Sequence, residues 1–321
     1  MKCAILTGVL CLVTASTPAA AQQRFALIVS GASGGDEYVE QYAAWTGALV
    51  KTLTDRMKFD PTHVTVLSDT EQAPEAATAV NVRRAIGSVR ARMTRDDLLL
   101  ILLVGHGTSD GEAAKFNLVG PDMESTEWAS LLQPLPGQVA VVNTTAGSFP
   151  FIERLSGPRR IVITATDSAA QRFDTLFPEY FIRALTDAAS DLDKNARISI
   201  WEAFWGASDG VRRHYRQRGL LATERALLDD TGDGIGKDIT DPGEDGSYAS
   251  RTYLDDGPSN AASTDEVLLR LLQRRAMLMV EVDELAIRRR FLPADEYARE
   301  FERVMIELAR VSQDIRRRAG S

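Results

Sequence analysis

Three stretches of this chain combine residue types and spacings that can do chemistry. The first is His106, set between Gly105 and Gly107 directly after seven consecutive apolar residues, Leu98 to Val104. An imidazole can serve as a general base, and glycine on either side lets backbone and ligand approach the ring closely. The other two histidines, His63 and His214, stand near no comparable motif. The second stretch is Asn143-Thr144-Thr145-Ala146-Gly147-Ser148, which offers three hydroxyls in one short box. A hydroxyl is un-ionised at neutral pH and attacks only with a base placed beside it, so the box matters chemically only if the fold brings it to His106.

The third stretch is Asp191 to Glu202, DLDKNARISIWE. Read as an EF-hand loop, it puts Asp191, Asp193 and Asn195 at positions 1, 3 and 5, the Arg197 carbonyl at 7, Ser199 at 9 and Glu202 at 12. Oxygen ligands at alternating positions, followed by a carboxylate, can wrap one hard cation, and calcium tolerates irregular coordination better than magnesium. Ala196 stands at the sixth position, where the sharp turn favours glycine and a Cβ must tolerate strain. The loop therefore reads either as a calcium site or as a metal-free loop that keeps its shape by internal hydrogen bonds. Asp229-Asp230-Thr231-Gly232-Asp233-Gly234 begins in the same way but has Thr240 at its twelfth position, and reads as a turn-rich acidic loop.

The elements that must position these groups follow from hydrophobic patterning. An apolar run bounded by glycine, as at Leu98 to Val104, predicts a central parallel strand buried on both faces. Phe25 to Ser30, His63 to Leu67, Val139 to Val142 and Ile161 to Thr164 predict further strands, with helical spacing over Tyr38 to Met57, Asn81 to Met93, Glu127 to Leu132, Glu179 to Ala189 and Trp201 to Tyr215. Strands alternating with helices predict an α/β fold with right-handed crossovers and a doubly wound, mostly parallel sheet. In such sheets ligands gather beyond the carboxyl ends of the strands, which is where His106 falls. Gly31-Ala32-Ser33-Gly34-Gly35 formally matches the G-x-S-x-G nucleophile elbow. The elbow follows several earlier strands in the hydrolases, whereas Ser33 follows one, so the loop reads as a glycine turn lining the cleft. No Gly-Lys-Ser/Thr follows it, so no nucleotide cofactor is expected.

A strand ending in His-Gly, paired with a later strand ending in a small polar box, resembles the caspase-like peptidase superfamily and in particular its legumain-like branch. The resemblance spans Arg24 to Asp233. In that family the histidine forms a dyad with a cysteine after the second strand, and the glycine beside the histidine helps hold the oxyanion. The resemblance implies these roles for His106 and Gly107 and puts Thr145 where the cysteine stands; a shift of one or two residues would present Thr144 or Ser148 instead. It also implies a caspase-like sandwich and a peptide or protein ligand.

Composition limits the function classes. The only cysteines, Cys3 and Cys11, lie in a predicted signal peptide, 1–21, built from Lys2, the apolar run Ala4 to Val13 and the small-residue site Ala19-Ala20-Ala21. The chain after that leader is expected to be exported to the periplasm or the extracellular space. It has no thiol for a nucleophile or a disulfide. No apolar run after the leader approaches the ~20 residues of a membrane-spanning helix, so no membrane insertion is expected. Beyond Lys2 the formal charge is -9, which repels nucleic acid. Residues 22–235 are expected to form the peptidase-homologue domain, 236–264 a linker or long surface loop, and 265–318 an antiparallel helical hairpin. Its second helix carries a heptad seam, Tyr297, Phe301, Val304, Leu308, Val311 and Ile315. A similar seam, Leu268, Leu271, Leu278, Val282 and Leu285, is interrupted by Arg275. The hairpin packs on the main domain or presents a coiled-coil surface to a partner. Two functions remain open: a non-catalytic homologue whose cleft recognises peptides, or an endopeptidase with a Thr or Ser nucleophile and His106 as its base.

Overall fold

A computed structural model of the chain describes residues 22–70, 74–110, 113–255, 266–289 and 291–319. The expected leader, 1–21, and the 256–264 part of the expected linker lie outside them. Strands β1 (Arg24–Ser30), β2 (Val64–Leu67), β3 (Leu98–Val104), β4 (Gly107–Ser109), β5 (Ala114–Phe116), β6 (Met123–Glu124), β7 (Gln138–Asn143), β8 (Arg160–Thr164) and β9 (Leu227–Asp229) form two sheets among the described residues. The larger has the order β2-β1-β3-β7-β8-β9, parallel throughout except for β9, which runs antiparallel to β8. The smaller is the antiparallel set β4-β5-β6, which follows His106 at once.

All seven residues of β3 are buried, as the uninterrupted apolar run predicts. Their alternation divides the core. Leu98, Leu100, Leu102 and Val104 face one cluster, and Leu99, Ile101 and Leu103 face the other. The first layer is covered by α1 (Asp36–Lys51) and by α5 and α6, the second by α2 (Ala79–Arg92), α3 (Ser125–Leu132) and α4 (Phe151–Leu155). Helix α5 spans Phe177–Ala184 and α6 spans Ile200–Gln217. Truncating a residue such as Leu102 to alanine costs about 2–5 kcal/mol at sites of this kind. The α/β fold class is as expected, a mostly parallel sheet between helices followed by an antiparallel hairpin, α7 (Glu266–Arg288) and α8 (Ala294–Ala319). Among the described residues no helix is long and apolar enough to cross a membrane.

The chain leaves β1 to one side for β2 and returns on the other side for β3, so the sheet has its topological switch point between the carboxyl ends of β1 and β3. The Gly31 to Gly35 turn and His106 meet there.

Several elements differ from expectation. Strand β2 begins at Val64 because Pro61–His63 forms a 3-10 turn capped by Asp60, whose Oδ1 accepts the Thr62 N–H at 2.8 Å. Helix α5 stops at Ala184, five residues short of the expected end, and turns lead from it into the acidic loop. The strands of the small sheet and β9 are too short to show periodicity. The stretch expected to begin a linker folds back onto the main body: Lys237 pairs with Leu228, Tyr253 with Ser199, and Ile239, Ala249 and Leu254 are buried. Its polar residues hold it in place. Asp230 accepts the N–H groups of Gly246, Tyr248 and Ala249, while Asp245 accepts those of Asp230 and Thr231. Burial pushes the Asp245 carboxyl up to about 7.

Leu278, Leu285, Val304, Val311 and Ile315 are buried in the hairpin seam. Arg274 reaches Glu307 at 2.8 Å across the two helices. Arg275, which interrupts the heptad pattern, donates to the Leu192 carbonyl and so fastens α7 to the acidic loop.

Candidate functional site

At the switch point, Gly31 N–H donates to the Val104 carbonyl at 2.9 Å, and Ala32 N–H to the Asn117 carbonyl at 3.1 Å. A Cβ on Gly31 would collide with that Asn117 oxygen, so the close approach of the two loops requires glycine. The turn then delivers Ser33. Its hydroxyl and N–H both donate to Asp69 Oδ2, at 2.6 and 2.9 Å, and its carbonyl faces His106 Nε2 at 2.9 Å. Ser33 thus links the Asp69 carboxylate to the histidine.

His106 is held on every side. The Ser33 carbonyl can only accept, so Nε2 carries a proton toward it; the Tyr42 hydroxyl lies 3.3 Å from the same nitrogen. Nδ1 faces Asp174 Oδ1 at 3.5 Å. The Tyr38 ring packs edge-on against the imidazole at a centroid distance of 4.8 Å, and its hydroxyl donates to Asp174 Oδ2 at 2.6 Å. That carboxylate pushes the Tyr38 hydroxyl up, first through the hydrogen bond and then through its charge, while burial pushes up Tyr42. Tyr38 and Tyr42 come from adjacent turns of α1. Asp174 comes from the loop before α5, which is tied down by Glu224, whose carboxylate accepts Leu176 N–H at 2.9 Å and Phe177 N–H at 3.2 Å.

The hydroxyl box follows β7, beside β3 in the sheet. Thr144 Oγ1 donates to the Leu103 carbonyl at 2.7 Å. Ser148 Oγ accepts Ala165 N–H at 3.1 Å and Thr166 N–H at 3.2 Å and pairs with Thr166 Oγ1 at 3.0 Å. Both hydroxyls hold the loop to the sheet. Thr145 differs: its N–H donates to Asn143 Oδ1, its side chain is 1% exposed, and its hydroxyl has no hydrogen-bond partner. Gly107, at the start of β4, lies directly on it. A Cβ there would strike Thr145 Oγ1 and come within 3.0 Å of Thr145 Cβ, and one on Gly147 would meet the Gly107 carbonyl carbon at 2.7 Å. The fold packs the Gly107 backbone against Thr145 and buries its hydroxyl beneath the start of the small sheet.

Of the six residues expected to hold a cation, Asp191, Asp193 and Glu202 converge, with one oxygen from each within 4.8 Å of the others. Ala196 adopts the left-handed backbone expected of the sixth position, with φ of 65°, and so does Lys194, with φ of 64°. The carboxylates are already engaged. Glu202 Oε1 accepts Leu192 N–H at 2.8 Å, and Oε2 accepts the N–H and hydroxyl of Ser199 at 2.9 and 2.8 Å. Ser199 returns the bond to Glu202 N–H, completing a capping box at the start of α6. Asn195 N–H donates to Asp191 and Asp193, and its amide to Asp193 and the Tyr253 hydroxyl. The Arg197 side chain is turned to Asp255 at 2.9 Å. Burial, with the like charge of Asp193, pushes Glu202 up to about 7, and burial pushes Asp193 up to about 6. A cation entering here would replace hydrogen bonds and relieve that repulsion.

Sequence reasoning did not find Ser33, Tyr38, Tyr42 or Asp174 as partners of His106, nor Asp69 as the partner of Ser33. Two tyrosines four residues apart, just after the glycine turn, were the available signal; Asp174 lies in an aperiodic loop and gave none.

No family model and no curated protein matches this chain. Among solved structures it is similar to a structural-genomics target from Geobacter sulfurreducens, with 14% identity and a TM-score of 0.44, over 65% of this chain and 93% of that one.

Proposed function

We propose that this chain is an exported caspase- or legumain-like peptidase homologue whose cleft binds peptide or protein segments without cutting them. The observation that supports this reading most strongly is the state of the groups a hydrolase would use. His106 Nε2 donates to the Ser33 carbonyl, which leaves the ring's lone pair on Nδ1, and no hydroxyl of the box reaches it: Thr144 and Ser148 are spent on the backbone, and Thr145 Oγ1 is buried without a partner. A base without an accessible nucleophile at hydrogen-bond distance does no covalent catalysis. What remains open is Asp174 and the edge of the Tyr38 and His106 pair, which suits recognition.

A second reading, an endopeptidase with Thr145 as nucleophile and Gly107 as oxyanion donor, draws on one observation: Thr145 is the one hydroxyl of the box without a partner. It needs the small sheet to lift so that Thr145 Oγ1 can reach the lone pair on His106 Nδ1. We also propose the loop at Asp191 to Glu202 as a calcium site, on its ligand spacing. Incubating the chain with a diverse peptide library, with and without calcium, tests the main reading. Retained peptides without cleavage products support it. Cleavage that is lost in both His106→Ala and Thr145→Ala would establish the second reading instead.

A further inference from the structure

Resting on the recognition reading above, we infer that the cleft selects peptide segments bearing a lysine or arginine, whose cationic head it takes at Asp174 beside the Tyr38 ring. Asp174 is 57% exposed, and only one of its oxygens is engaged at close range, by the Tyr38 hydroxyl at 2.6 Å. Each carboxylate oxygen accepts about two hydrogen bonds, so capacity for an ammonium or guanidinium remains.

The surroundings carry the same sign. Asp36 and Glu37 are exposed in the first turn of α1, immediately before Tyr38, and Asp69 is exposed behind Ser33. The cation nearest in the chain, Arg172, is turned to the carbonyls of Ala169 and Gln171. Next to Asp174 in the chain, Phe173 is 64% exposed. An aromatic ring beside a carboxylate is the chemistry that recognises a cation on an apolar stem. A negatively charged, aromatic-flanked mouth disfavours acidic segments by the same charges that favour basic ones.

The rest of the segment has a path. A groove of about 550 Å³ runs from Ser33 and Tyr42 past Thr46 and Val50 to the β2 side at Val66 and Asp69. It shares Ser33 and Tyr42 with the histidine site and mixes apolar walls and hydroxyls with the opposite charges of Lys51 and Asp55 at its far end.

Fluorescence anisotropy with labelled peptides that differ only in a central Arg, Lys, Gln or Glu tests this on the full chain. The Arg and Lys peptides should bind about fivefold tighter than the Gln peptide, the worth of one partly exposed ion pair with a ring beside it, and the Glu peptide weakest. Added salt should weaken the basic peptides most. Asp174→Asn should erase the preference, bringing Arg- and Lys-peptide affinity level with that of the Gln peptide in the same variant, with circular dichroism confirming the fold. Equal binding of all four, or a preference untouched by salt, overturns the inference and leaves the recognition reading standing. Binding of none overturns both.

Discussion

The hydroxyl box at 143–148 and the acidic loop at 191–202 both bury polar side chains, and they differ in what they leave over. In the loop every described carboxylate is bound by backbone or side-chain donors, and Glu202 alone takes three N–H or O–H groups at 2.8–2.9 Å. In the box Thr144 and Ser148 are equally committed, but Thr145 keeps a buried hydroxyl with no partner. Saturation identifies groups that hold a structure. Unused hydrogen-bonding capacity marks a hydroxyl that holds nothing in place, as at Thr145.

Substitution separates these cases. Glu202→Ala should have the largest effect, lowering stability by about 3 kcal/mol in chemical unfolding, because it removes the capping box and orphans buried donors of Leu192 and Ser199. If the loop binds calcium, calorimetric calcium heat should vanish in the same variant. Within the box, Ser148→Ala should cost about 2 kcal/mol by stranding the N–H groups of Ala165 and Thr166. Thr145→Val should be neutral or stabilising by up to ~1 kcal/mol, since it exchanges an unsatisfied buried hydroxyl for a methyl of the same shape. A large loss at Thr145 would erase the distinction between the two threonines.

Glu224, which ties down the loop carrying Asp174, gives a pH test. Burial raises it from 4.5 to about 7, against the pull of the Leu176 and Phe177 N–H groups. The folded state therefore binds its proton more tightly than the unfolded state. Its contribution is complete at low pH and is lost as pH rises through about 7. Unfolding midpoints should fall as pH rises from about 4.5 through about 7, with Glu224 contributing the equivalent of about 1–2 kcal/mol. Glu224→Gln should make the profile shallower by that part, the remaining slope belonging to Glu202 and Asp245. Ala196→Gly should have the smallest effect and the opposite sign. Relieving the left-handed φ should stabilise the chain by up to ~1 kcal/mol, read as a raised unfolding midpoint.

Much of the fold was legible because β3 and its neighbours announce themselves by unbroken apolar runs, and the alternation of strands and helices dictates the layers. The acidic loop was legible in part: spacing brought Asp191, Asp193 and Glu202 together and anticipated the strain at Ala196. It did not show that Glu202 caps α6, although Ser199 three residues earlier is the capping-box pattern. His106 was placed by its strand, while its partners were not. Asp174 is 68 positions away by number in a loop without periodicity, and only the switch-point geometry brings it to the ring. The folding-back of 237–255 was hidden because its glycines and aspartates read as surface turns, whereas the aspartates serve as acceptors for buried backbone N–H groups.

The claim on which the account turns is that His106 donates from Nε2 to Ser33 while no hydroxyl of the box is offered to its Nδ1. Long-range ¹H–¹⁵N correlation spectra of the selectively labelled histidine report directly which ring nitrogen carries the proton. A protonated Nε2 at neutral pH, with no peptide cleavage in the same sample, is the predicted result. An unprotonated Nε2, or peptide cleavage that disappears in Thr145→Ala with either tautomer, would contradict it.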